Sequence, residues 1–404
     1  MIAALIGAAL VQTQVKFSVL ELPDPQMDHV AIHAYLWRDG AYAKEDAAWR
    51  VMAASIGQNS KTYSTSDVEF FGSMAGIRPR VCAAPGFIRV EIVSPPAKWR
   101  DSLALAASLI AEPNWRANGW EEKQEMLAKA PADLWRDLVW PPGDFSQKVD
   151  GEALANCHAR NLDLNGVRVV VSGPVEVGQA RDVLAKSAAG WPLPDYRKIS
   201  RYSEEVKPPD RQATGATSYE LTGAPIRVGE KGAAAEFLAS VALGIGKGSA
   251  VWEQLRERDA LAYRVEGFLW PTRQGFVPRL VMIRRAEPNE LIHAGTMVNG
   301  LKESVKGFAL PELARAKVMA RQILLRPNAF ASVYLDSDST LFGDRDDDTR
   351  WRGLLNGMDL PSVPLARWAD ALDQVSEEEF RAAAVKMLET AQIHVTRGIP
   401  GISD

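Results

Sequence analysis

The sequence predicts an α+β protein made of two similar mixed α/β halves, and three observations carry that expectation. Strand-like and helix-like apolar periodicities alternate through the first half. The stretch PLPDYRKISRYSEEVKPPDRQATGAT, Pro192 to Thr217, is rich in proline, charge and polar residues, the composition of a connector. Beyond it the order of patterns starts over. A chain of 404 residues is also longer than one hydrophobic core usually serves. The expected organisation is an N-terminal domain over residues 15–191, a linker over 192–217 and a C-terminal domain over 218–404, a duplicated sheet-plus-helices unit.

Taken in order, HVAIHAYLWRD (His29 to Asp39) alternates and reads as a strand, and EDAAWRVMAASIG (Glu45 to Gly57) has helical spacing with a glycine past its end. GFIRVEIVSP (Gly86 to Pro95) alternates again and is stopped by prolines. KWRDSLALAASLIAEP is helical up to Pro113, and a Trp- and Glu-rich helical stretch covers Trp115 to Lys129. After a Pro-rich loop, GEALANCHARNL reads as helix, NGVRVVVSGPV as turn, strand and turn, and VGQARDVLAKSAAGW as helix. Past the connector, AAAEFLASVALGIGKG is a helix closed by glycines and GSAVWEQLRERD a second helix. AYRVEGFLWP and FVPRLVMIRRA are strands, and PNELIHAGTMVNGLKESVKG and LPELARAKVMARQILLRP are helices. SEEEFRAAAVKML, opened by a Ser/Glu capping box, is the last helix, and QIHVTRG the last strand.

Composition excludes several classes. Hydrophobic and charged fractions of 47% and 24% are those of a soluble globular protein rather than a membrane bundle or a disordered chain. With a net charge of −4 and no basic stripe there is no phosphate-neutralising footprint, so nucleic acid is not an expected partner. Cys82 and Cys157 match no metal-ligand spacing. Two buried thiols fit best, with one disulfide as the alternative. The opening MIAALIGAALVQTQ has an apolar run of signal-segment length without a basic start, which leaves export and a plain N-terminal end both open. No later run is long and apolar enough to span a membrane. The expectation is a soluble protein of the cytoplasm or of an exported compartment.

The segment WEQLRERDALAY, Trp252 to Tyr263, preceded by the Gly-rich helix end GIGKGS, resembles a segment of the pitrilysin/insulinase family. These are the inverted zincins that include the mitochondrial processing peptidases, whose second domain carries an LRE-(charged)-GLAY pattern. The resemblance runs over nearly the whole chain in the same order: VRVVVSGPV stands where the family's first domain ends, LPELARAKVMARQILL resembles the helix after its second sheet pair, and VSEEEFRAAAVKML its closing helix. Ala260 departs from the pattern, since the family has a glycine before the leucine. The resemblance implies that Arg256 and Tyr263 contact the substrate peptide and the reaction centre. Their chemistry suits that role, because a guanidinium and a phenol both donate hydrogen bonds to a peptide carbonyl or a developing oxyanion. Without the resemblance, the residues read as a surface helix arginine and a core tyrosine.

An active member of the family carries H-x-x-E-H on its first long helix, two zinc-binding histidines and a glutamate acting as base. Aligned by the glycine that ends the helix, the motif falls on Ala48, Trp49, Arg50, Val51 and Met52, none of which supplies an imidazole or a carboxylate. The five histidines, His29, His33, His158, His293 and His394, are scattered, and H-x-x-E-H occurs nowhere in the chain. His29 and His33 lie four apart on an expected strand and read as a sheet pair. The family's third ligand falls near Ala128 or Lys129, where Glu125 alone reads as a solvated helix face. No catalytic zinc is expected on this chain. DSDSTLFGDRDDD, Asp336 to Asp348, lacks the glycine and closing glutamate of a calcium loop and reads as a solvated loop capping helices. The acidic runs at Glu121 and Glu377 fit helix first turns.

Keeping the Arg/Tyr pair without the zinc motif resembles the non-catalytic subunit of the family's heterodimers. The expected function is a substrate-binding, completing subunit that donates Arg256 and Tyr263 to a partner bearing H-x-x-E-H and zinc, with peptides as substrates and peptidase activity only in the complex. A peptide strand added to a sheet edge would supply sequence-tolerant main-chain hydrogen bonds. A structural scaffold of the same fold is the alternative. An independent enzyme has least support, because GIGKGS follows a helix and lacks the spacing of a phosphate loop. Trp115, Trp120, Trp135 and Trp140 read as core or as a partner-facing aromatic patch.

Overall fold

The computed structural model describes residues 15–38, 46–84, 86–116, 119–129, 149–189, 191, 216–258, 264–285, 290–325 and 345–399. The first half contains β1 (Phe17–Pro23), β2 (Val30–Trp37), α1 (Asp46–Ser55), α2 (Thr65–Ala75), β3 (Arg80–Ala83) and β4 (Phe87–Ser94). It continues with α3 (Trp99–Ala111), α4 (Trp120–Lys129), α5 (Gly151–Asn165), β5 (Val167–Gly173) and α6 (Gln179–Ala188). The second half contains β6 (Ala216–Thr222), α7 (Ala233–Gly244), a π-helix (Trp252–Arg258), β7 (Arg264–Thr272) and β8 (Gly275–Arg285). After these come α8 (Glu290–Lys306), α9 (Leu310–Leu325), α10 (Arg345–Gly357), α11 (Leu365–Asp373), α12 (Glu377–Thr390) and β9 (Gln392–Ile399).

The strands form two sheets, ordered β1-β5-β2-β4-β3 and β7-β8-β6-β9. Among the described residues only β1 and β5 pair in parallel; the other pairings are antiparallel. Read from its far edge, the first sheet runs β3-β4-β2-β5, and the second repeats that order as β7-β8-β6-β9. The helices repeat with it, since α1 and α2 connect β2 to β3 as α7 and the π-helix connect β6 to β7. This is the α+β duplication that the alternating patterns lead one to expect.

Side-chain alternation decides which face packs where. On β2, Val30, Ile32, Ala34 and Leu36 join a core with Trp49 and Met52 of α1, Leu103 and Leu109 of α3 and Leu154 of α5. Tyr35 and Trp37 point the other way and join a second core that contains the sheet and helices of the second half. All eight residues of β2 are buried, because both faces of the first sheet are covered.

The cover on the second face is α10, which lies against β5, β2 and β1. Trp351, Leu354 and Leu355 of this helix are buried in the shared core. Two glycines allow the close approach: a Cβ on Gly353 would stand 2.5 Å from Tyr35 Oη, and one on Gly357 would overlap the Trp37 indole. A polar cluster lies on the same face. Glu91 is buried and pairs with Arg89 at 2.5 Å and with Arg350 of α10 at 3.2 Å, opposite His33 in the β2–β4 register. Just past α10, Asp359 accepts from Arg168 of β5 at 2.5 Å and from Arg273 of the β7–β8 turn at 2.6 Å, tying the two sheets together. Its φ of 55° makes it the sole non-glycine residue among those described with left-handed backbone.

Several local readings change. The helix read from Trp115 begins at Trp120, and β1, α2, β3, β6, α10 and α11 are elements the sequence patterns did not mark. Residues 336–344 of the acidic stretch lie outside the described residues, whereas Asp348 is inside α10 and accepts from the Leu365 N–H at 2.7 Å, capping α11. His29 precedes β2 and bonds Asp28 at 2.8 Å, and only His33 lies in the strand, so the sheet pair read from their spacing does not form. Cys82 and Cys157 are free and buried.

Candidate functional site

The site around Arg256 is built by a close approach of backbone. At the end of α7, a Cβ on Gly244 would stand 2.8 Å from the Gly267 Cα of β7, and one on Gly267 would stand 2.6 Å from Gly244. Only a pair of glycines lets the helix end sit on the strand. The chain then turns through Ile245 to Gly248, with Gly246 and Gly248 both left-handed. Buried Ser249 opens the next helical turn, its carbonyl accepting from the Glu253 N–H at 2.9 Å and its hydroxyl from the Trp252 N–H at 3.3 Å.

The segment expected as an ordinary second helix winds instead as a π-helix over Trp252–Arg258. Such turns are rare and concentrate at functional sites. Leu255 anchors it in the core, and Ser304 of α8 donates to Gln254 at 3.1 Å. Arg256 stands exposed on this turn, its guanidinium 4.2 Å from the centroid of the half-buried Trp252 ring. The ammonium of Lys247 lies 5.6 Å from the same centroid. Nearby, Arg258 donates to Gln254 at 3.0 Å, and Arg315 donates to the Ala242 carbonyl at 3.2 Å. Burial lowers the Arg315 pKa against the opposing pull of Glu253 and Glu312. Tyr263 lies outside the described residues, which resume at Arg264.

The positions aligned with the zinc motif all lie on α1 and are buried: Ala48, Trp49, Arg50, Val51 and Met52. Trp49 Nε1 donates to the Ala84 carbonyl at 2.9 Å, and the Arg38 guanidinium lies over its ring at 5.6 Å. This helix offers methyl, methylene and indole surface to the core. A zinc ion needs imidazole, thiolate or carboxylate ligands at such positions, so these residues do not fit the metal. Glu125 on α4 is exposed and pairs with Lys129 at 3.3 Å. Among the described residues, no group of three or more His, Cys, Asp or Glu side chains could hold a metal ion.

No protein-family model matches the sequence, and a search of curated proteins finds no significant match. Solved structures do match. A peptidase M16 inactive domain from Pseudomonas fluorescens superposes with a TM-score of 0.62 at 16% identity, covering 94% of this chain and 95% of that one. The fold is that of the M16 inactive domain. A protease from Helicobacter pylori superposes with a TM-score of 0.62 at 15% identity, covering 95% of this chain and 98% of that one. A conserved protein from Enterococcus faecalis V583 follows at 0.58 and 14%, with coverage of 97% and 99%. Within the M16 fold, α1 and α7 are counterparts in the two halves, and the Arg256 turn is the counterpart of α2. What the sequence did not disclose is Trp252 and Lys247 as neighbours of Arg256. The tryptophan four residues before the arginine was the readable sign, since residues at that spacing share a helix side.

Proposed function

We propose that this chain is a non-catalytic, peptide-binding subunit that completes the cleft of a zinc peptidase of the same fold, contributing Arg256 and Tyr263 to a partner that bears H-x-x-E-H. One contrast carries the reading. In an M16 fold, the helix at the zinc position is given over to packing, while Arg256 stays in solvent on an unusual π turn. A surface arginine on an ordinary scaffold has no need of that turn. The exposed guanidinium can donate to a peptide carbonyl or to an oxyanion developing on it, while the partner's metal would supply the activated water. Two of the matched structures, an inactive M16 domain and a protease, support a pair in which both members have this fold.

The test is a pull-down of the tagged chain from its native cell, followed by kinetics of what is recovered. A co-purifying protein bearing H-x-x-E-H is the expected outcome. Arg256→Ala should then lower turnover of the complex by about 10²–10³ if the residue donates to the oxyanion, the cost of losing one such donor, with bound zinc unchanged. Unchanged turnover would leave a structural scaffold as the reading of this fold.

A further inference from the structure

Lys247 and Arg256 share one indole. Their distances to the Trp252 centroid, 5.6 Å and 4.2 Å, place the two charges within about 10 Å of each other, roughly the screening length at 0.1 M salt. Both side chains are exposed, and neither forms an ion pair among the described residues. Of the neighbouring charges, Glu253 and Glu312 both act on Arg315, and Arg258 is bonded to Gln254. Glu257 is exposed on the same turn. Two exposed charges this far apart repel each other only weakly, by less than each gains from the ring, so both stay beside the indole and together make its surroundings positive. A carboxylate arriving beside the ring is attracted by both and gains a charge-assisted hydrogen bond.

We propose that Lys247, Trp252 and Arg256 form a carboxylate-selecting platform, with Trp252 as the residue that positions both cations, so that the peptide gripped here carries an acidic side chain or a free C terminus at the contacted position. This rests on the peptide-binding reading given above and narrows its substrate class. The Trp252 ring holds the exposed Arg256 guanidinium 4.2 Å from its centroid, and Lys247 adds a second point charge from a turn flanked by the left-handed Gly246 and Gly248.

The experiment uses the full chain, together with the co-purified partner where one is recovered. Fluorescein-labelled unstructured peptides with central glutamates, their glutamine counterparts, and each with a free or amidated C terminus are titrated by anisotropy. The acidic or free-ended peptide should bind about three- to tenfold more tightly than its neutral counterpart, the scale of one or two exposed ion pairs. Lys247→Gln should remove most of that preference. Trp252→Ala should weaken the acidic peptide and Trp252→Phe restore it, because a phenyl ring still holds the cations and a merely structural role would not follow that order. Preference tracking the glutamates assigns the carboxylate to a side chain, and preference tracking the free end assigns it to the terminus. Equal binding of acidic and neutral peptides, or a preference untouched by Lys247→Gln, overturns the platform alone. Failure of every peptide to bind overturns the peptide-binding reading along with it.

Discussion

Glu91 is the residue on which the first sheet's polar face depends. Burial raises a carboxyl pKa, but Arg89 and Arg350 outweigh that and hold Glu91 at about 2. Burial also drives His33 down to about 3, against the opposing pull of Glu91. The signs agree. Glu91 has a depressed folded-state pKa, so its contribution is complete above the unfolded value of 4.5 and is lost as pH falls towards 2. His33 is held neutral in the fold while the unfolded chain takes up its proton near 6.5, so stability also falls as pH drops from 6.5 towards 3. Urea midpoints should therefore decline below pH 6.5 and more steeply below 4.5. Replacing His33 by Gln should remove part of the upper decline, the rest coming from His158, which burial pushes down to about 4. Glu91→Gln leaves two buried guanidinium groups without their carboxylate and should cost about 3–5 kcal/mol at pH 7, measured by urea unfolding. No sequence spacing announced this cluster. His33 and Glu91 meet only through the β2–β4 register, and Arg350 comes from a helix far along the chain.

At the scale of the element, the legible pieces were those whose burial follows one period. α3, α5, α7 and α12 were readable because their apolar residues repeat at helical spacing, and α12 also had its Ser376/Glu379 capping box. α2 has no fully buried residue, so its pattern is weak; Ser64 and Asp67 nevertheless form a capping box that could have marked it. The four-residue β3 is too short to show alternation. α10 begins in the acidic run read as loop, and what its later glycines do depends on a distant sheet. They yield a prediction: Gly357→Ala sets a methyl group into the Trp37 indole and should destabilise by about 1–3 kcal/mol or more, read from thermal unfolding. Asp359 separates two effects. Asparagine tolerates left-handed backbone and keeps a side-chain oxygen, so Asp359→Asn loses only the charge of its pairs with the largely buried Arg168 and Arg273 and should cost about 1–2 kcal/mol. Asp359→Ala adds the backbone penalty and should cost about 1–2 kcal/mol more, both by urea unfolding.

For the whole molecule, the duplicated pattern was enough to anticipate two sheets of one design, and the LRE segment was enough to anticipate the fold later seen in the solved structures; residues 192–215 of the expected linker lie outside the described residues. They did not anticipate that a second-half helix would cover the first sheet, because periodicity says which face of a helix is apolar and not what it meets. The Trp351, Leu354 and Leu355 side chains contribute about 1.5–3 kcal/mol each on burial, together more than the two partly buried ion pairs of Asp359. The two halves are therefore held together chiefly by apolar packing. An engineered protease site in the 192–215 segment, once cut, should leave both pieces eluting together on size exclusion in native buffer and separating only in denaturant.

The route of α10 also sets a constraint on biosynthesis. The first sheet has all its strands once residue 173 has left the ribosome, yet Tyr35 and Trp37 meet the helix that covers them only after residues 345–357 have been made. Throughout that interval an aromatic face stands open on the nascent chain, a surface suited to chaperone capture and to wrong pairing with a neighbouring copy. Slow translation or a truncated message would lengthen that exposure, so the last quarter of the chain governs how safely the first quarter folds.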